Sequence, residues 1–172
     1  MDYLQNVAGG PPVVYLNVPS QEMKDITQKL LEDGLPVWMG CDVGKQMHRE
    51  RGLWDAKLFD FAELYGAEFG MDKANRLRYS QTMMTHAMLF TGVDVVDGKP
   101  RRWRVENSWG AKKSGEEGFY TMNDSWYDEH MFEIAAPTEY LTKKMKDGLS
   151  TTPVVLPAWD PMGSLANQEA AL

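Results

Sequence analysis

Cys41 is the only cysteine in the chain, and the only histidines are His48, His86 and His130. One thiol rules out an internal disulfide and suits a reducing compartment. Three scattered histidines and one cysteine do not give the ligand spacing of a structural zinc site. No metal or cofactor is therefore expected. No apolar run approaches the ~18 residues that a membrane helix needs. The opening MDYLQNVAGGPPVV has neither the basic n-region nor the apolar h-region of a secretory leader. An excess of positive charge is missing too: 18 Lys and Arg against 25 Asp and Glu leave a net charge of −7. That balance counts against non-specific nucleic-acid binding. Arg101, Arg102 and Arg104 form one local basic cluster, which reads as a solvated strand face. The sequence shows no internal repeat and no low-complexity tract.

What is present fits one well-packed domain. At 172 residues, folding can bury roughly two-thirds of the chain's surface, and six Trp with seven Tyr supply bulk for a core or aromatic-lined clefts. Ser20 to Asp33 reads as an amphipathic helix carrying Met23, Ile26, Leu30 and Leu31 on one face, capped by Ser20 and ended by Gly34. Pro36–Val43 is a short apolar run between turn residues and reads as a buried strand. His48 to Gly70 carries only weak helical or loop character. Asp72 to Tyr79 reads as a short helix with Asp72 as its cap. Thr85–Val96 and Arg101–Ser108 are β-rich runs joined by DGKP, a hairpin signal. Further strands are expected at Gly118–Met122 and Phe132–Ala135, with a short helix starting at Asn123. Many strands and few helices point to an antiparallel, barrel-like sheet.

Chemistry gathers in the hairpin. His86 opens one strand, and Asn107-Ser-Trp-Gly closes its partner. A thiol nucleophile at pKa ~8.5 is mostly protonated at neutral pH. It needs an imidazole to take its proton and later return it to the leaving amine. That imidazole needs an acceptor on its other nitrogen to fix its tautomer, and an Asn can serve. Adjacent strand ends of a rigid sheet would hold His86 and Asn107 at a fixed separation, and Trp109 would shield their hydrogen bond from water. Taken alone, either a lone His or an isolated NSWG is a weak sign. Their order across a hairpin makes the pair a candidate thiol-peptidase site.

MTHAM (84–88) and WRVENSWG (103–110) resemble the bleomycin hydrolase family, the intracellular aminopeptidase branch of the papain-like cysteine peptidases. PVWMGCDVGK (36–45), DYLQNVAGG (2–10) and LPAWDPMGSLA (156–166) carry the same resemblance. It implies an α+β, papain-like fold of which this chain is the C-terminal portion. Residues 1–156 would be the antiparallel, barrel-like lobe with flanking helices, and residues 157–172 an extended tail reaching the active-site cleft. It implies further that the nucleophilic Cys, preceded by an oxyanion-hole Gln, lies upstream on a helical lobe that is absent here. Cys41 does not fit that role: it stands 45 positions before His86 on a strand-like stretch, with Leu35 where the Gln would be. It reads as a packing residue. GCDVGK is also one residue short of a phosphate loop.

The resemblance implies hydrolysis of peptides and amides from a free N-terminus. It also implies a homohexameric ring, cytoplasmic residence (mitochondrial if an upstream targeting segment exists) and no membrane or nucleic-acid partner. His86 would be general base and acid, Asn107 its orienter and Trp109 the shield, with the chain inert alone. The alternative is a non-catalytic paralogue that binds peptides or joins full-length subunits. Asn167–Leu172 extend past the family's usual end by up to ~20 Å. They would crowd the cleft, relax the N-terminal preference or hang outside.

Overall fold

The computed structural model describes residues 8–10, 13–112, 114–157 and 159–162. Its elements are α1 (Ser20–Glu32), β1 (Val37–Cys41), β2 (Met47–His48), β3 (Leu53–Trp54), α2 (Phe61–Tyr65), α3 (Lys73–Arg78), β4 (His86–Val96), β5 (Lys99–Glu106), β6 (Phe119–Asn123), α4 (Asp124–His130), β7 (Met131–Ile134) and α5 (Lys143–Leu149). The strands form one sheet in the order β2-β3-β6-β5-β4-β1-β7. Every pairing is antiparallel except β3 with β6. The weak stretch His48–Gly70 therefore holds the last residue of β2, the short strand β3 and α2, and it joins the sheet through a parallel contact of β3 with a distant partner.

The β4–β5 hairpin turns where its sequence says it should. Asp97 and Gly98 both have positive φ, 51° and 74°, as a tight two-residue hairpin turn requires. Val96 pairs with Lys99, and the ladder continues to Leu89 opposite Glu106. Period-two alternation puts Val37, Met39 and Cys41 on one face of β1, opposite Phe90, Met88 and His86 of β4. Trp103 and Val105 of β5 meet Met122 and Tyr120 of β6 on the same side. These residues are buried, apart from the half-buried His86 at the end of its row. Trp54 stacks on Tyr120 at 4.5 Å and tilts against Trp126 at 5.7 Å, which closes the core around the β3 edge.

α1 covers the sheet with Met23, Thr27 and Leu30, a stripe at helical spacing. Its cap differs from the sequence reading. Pro19 is the N-cap and makes no side-chain cap bond, while Ser20 is the first helical residue and its hydroxyl accepts from Lys73 Nζ at 3.4 Å. The buried Lys24 ties α1 to α4 through Asp124 and Asp128, each at 2.7 Å. Thr27 Oγ1 and Tyr127 OH are 2.9 Å apart. Asp72 caps α3 as expected, accepting from Asn75 N at 2.8 Å. α2 buries none of its residues, and Phe59, Phe61, Tyr65 and Phe69 form an exposed aromatic row with successive ring centroids 6.1–6.5 Å apart.

His130, at the end of α4, gives the fold an acid limit. Burial above all, then Arg76, Lys73 and Lys45, push its imidazole from 6.5 down to about 3. Below pH 6.5 the unfolded chain takes up a proton at this ring, whereas the folded chain resists until about pH 3. Proton uptake therefore favours unfolding across that window, and stability is lost as pH falls through it. Urea midpoints measured between pH 7 and pH 4 are expected to fall for the parent chain. The fall should be shallower for His130→Asn.

Candidate active site

The entry to β4 is pinned before His86 begins. Thr85 N–H donates to Cys41 O at 2.9 Å, and Thr85 Oγ1 accepts from Val43 N–H at 3.1 Å. Thr82 Oγ1 donates to the buried Asp42 carboxylate at 2.6 Å. The far end of β5 is held in a similar way, because Asn107 N–H donates to Gly118 O at 3.0 Å and prolongs the ladder to β6. Two rigid strands thus deliver His86 and Asn107 to the same rim of the sheet.

His86 Nε2 lies 2.9 Å from Asn107 Oδ1. A carbonyl oxygen can only accept, so Nε2 carries the proton and Nδ1 keeps its lone pair in the neutral ring. Asn107 Oδ1 also accepts from Ser108 N–H at 2.8 Å, and the side chain is buried. That second bond, formed within the NSWG segment itself, fixes which way the amide points. The Trp109 ring sits 5.0 Å from the His86 ring at an interplanar angle of 30° and meets Tyr120 edge-on at 6.1 Å. The three residues singled out by the sequence are therefore brought together. The arrangement can take up a proton at Nδ1 and stabilise the resulting imidazolium through Asn107.

Cys41 is closer to this pair than its sequence separation implies, for β1 pairing sets it directly opposite His86. Its thiol is nevertheless fully buried, and Sγ donates to the His86 main-chain carbonyl at 3.7 Å. Burial first, and the Asp42 charge second, push this thiol up, away from the thiolate form. Among the described residues no hydrogen bond joins Sγ to the imidazole. No group of three or more His, Cys, Asp or Glu among them could hold a metal ion. Of the three arginines flagged in the sequence, Arg101 pairs with Asp94 at 2.7 Å and Arg104 lies over the Phe119 ring at 3.6 Å. The tail's final residues, 163–172, and with them Asn167–Leu172, lie outside the described residues.

Sequence reasoning missed Arg49 and Tyr120, which pack around Trp109. Arg49 falls in the stretch without usable periodicity, and nothing in its spacing links it to Trp109.

A model of the Peptidase C1-like family matches residues 1–163. Aminopeptidase C of Listeria innocua is 43% identical over 166 residues, covering 96% of this chain and 37% of that protein. Human bleomycin hydrolase is 40% identical over 170 residues, with the same two coverages. The crystal structure of PepW from Lactobacillus rhamnosis superposes with a TM-score of 0.90 at 42% identity, over 95% of this chain and 37% of that one. The chain thus spans a little over a third of the length of the relatives it matches, and its α+β fold is papain-like.

Proposed function

Because the chain belongs to the Peptidase C1-like family, whose members at about 40% identity are aminopeptidases C and bleomycin hydrolases, we propose that it supplies the acid–base half of a cysteine aminopeptidase. The observation that carries this reading is the 2.9 Å contact from His86 Nε2 to Asn107 Oδ1, which leaves Nδ1 as the proton acceptor. The nucleophilic thiol is supplied by a helical lobe outside this chain. His86 Nδ1 takes the thiol proton, and the thiolate attacks the carbonyl carbon of the N-terminal residue's amide. The imidazolium returns the proton to the departing amine. Water, deprotonated by the same imidazole, then cleaves the thioester and regenerates the thiol. Asn107 holds the ring through both proton transfers, and Trp109 keeps water off the bond that orients it.

Substrates are peptides and amides with a free α-amine, and the enzyme works as a homo-oligomer. The exposed aromatic row from Phe59 to Phe69 supports a docking role for this surface, since contiguous apolar patches of this kind mark interaction sites. The burial of Cys41 also favours a second reading, in which the chain without a thiol-bearing lobe binds peptides or joins full-length subunits without catalysis.

The chain combined with such a lobe is expected to hydrolyse an aminoacyl fluorogenic amide. Its N-acetylated counterpart should be cleaved far more slowly. Equal rates on the two substrates would remove the aminopeptidase reading, and no turnover on either would favour the binding role.

A further inference from the structure

Arg49 occupies the turn between β2 and β3, and its guanidinium carbon stands 4.8 Å from the centroid of the Trp109 ring. Among the described residues no carboxylate lies within 4.0 Å of it, so its side-chain contact is the indole rather than an ion pair. An exposed cation without a counter-ion gains from the negative face of an indole, the most favourable aromatic partner for it.

The backbone at Arg49 is fixed independently of that side chain. Its carbonyl accepts from Gly52 N–H at 3.1 Å and from Gly115 N–H at 3.2 Å. Gly115 belongs to the loop that follows the NSWG segment. The two glycines interlock: a Cβ on Gly52 would stand 2.6 Å from the Gly115 Cα, and both residues have positive φ. Arg49 is thus the point where the β2–β3 turn and the loop beyond Trp109 are joined. Its main chain sets the distance and its side chain meets the ring. Trp109 in turn lies 5.0 Å from His86 and contacts Tyr120, whose ring stacks on the core residue Trp54.

We propose that Arg49 is a positioning residue for the His86–Asn107 pair, clamping the Trp109 indole beside the imidazole through a cation–π contact. The proposal rests on the reading of His86 as the acid–base residue, yet it concerns the geometry around that ring alone. Arg49 acts through Trp109 and does not touch substrate. Loss of its charge lets the indole swing away more often and admits water to the His86 Nε2–H···Oδ1 bond.

The test is nuclear magnetic resonance on the 172-residue chain with labelled histidine, comparing the parent with Arg49→Gln and Arg49→Lys. Two signals are read: exchange of the His86 Nε2 proton with water, and the His86 ring-proton shifts that the indole ring current sets. Arg49→Gln keeps the main-chain bonds and removes the charge, so Nε2–H exchange should quicken roughly two- to five-fold, the range of an exposed cation–π contact. The ring shifts should move toward unstacked values. Arg49→Lys keeps a cation and should retain much of the parent behaviour. Unchanged exchange and unchanged ring shifts in Arg49→Gln would overturn the proposal, and so would identical behaviour of Gln and Lys. A purely structural role would lower the urea midpoint without moving either signal. Both signals are read without hydrolysis, so failure here removes the clamp and leaves the acid–base role of His86 to its own test.

Discussion

In the chain combined with a thiol-bearing helical lobe, replacing His86 with alanine is expected to lower aminoacyl-amide hydrolysis by roughly 10²–10⁴-fold, the usual contribution of a positioned general acid–base group, while leaving the fold in place. His86 closes the inward row of β4, beyond Met88 and Phe90, and is only half-buried. Its backbone hydrogen bonds do not depend on the ring, so β4 keeps its register with β1. What is lost is the acceptor at Nδ1. The thiol then stays largely protonated at neutral pH, and the departing amine loses its proton donor. The rate should fall both in forming the acyl-enzyme and in resolving it, and the circular dichroism of the variant should match the parent. A loss of activity accompanied by a lower urea midpoint would point instead to a structural role for the ring.

Replacing Trp54 with alanine is expected to have the largest effect on stability, roughly 3–5 kcal/mol. That is a large share of the ~5–15 kcal/mol typical of a folded domain. Trp54 is 1% exposed, stacks on Tyr120 at 4.5 Å and tilts against Trp126 at 5.7 Å. Its Nε1–H also donates to Val43 O at 3.0 Å. Alanine would leave a cavity, remove two aromatic contacts and strip that carbonyl of its donor. β3 links the outer strand β2 to the sheet by pairing with β6 over only Leu53–Thr121 and Trp54–Met122, so this end of the sheet leans on the packing of Trp54. Urea unfolding followed by tryptophan fluorescence checks the size of the loss. A change under 1 kcal/mol would mean that the β3 edge is not part of the cooperative core.

Much of the site was legible in the sequence, for a local reason. The β4–β5 hairpin is encoded by its turn and by two runs of period two, so His86 and Asn107 fall at neighbouring strand ends whatever the rest of the chain does. The orienting bond from Ser108 N–H to Asn107 Oδ1 lies within two residues. The remainder depends on long-range pairing. β2 and β3 are two residues each, too short to show a period, and they are strands only because β3 lies along the distant β6 and β2 lies along β3. Arg49 sits in that turn, and its contact with Trp109 has no local signature. The register of β1 on β4 sets Cys41 opposite His86, which the 45 intervening positions did not reveal. The burial of Cys41 agrees with its reading as a packing residue on a strand-like stretch. The cap of α1 falls one residue before the hydroxyl that the sequence offers, since Pro19 holds the N-cap position and Ser20 is already helical.

Cys41 so near His86 makes one comparison decisive: aminoacyl-amide hydrolysis by the chain alone and with a thiol-bearing helical lobe, each as parent, His86→Ala and Cys41→Ser. The account predicts no turnover by the chain alone. With the lobe it predicts turnover that His86→Ala removes and Cys41→Ser preserves. Turnover by the chain alone that disappears with Cys41→Ser would contradict it.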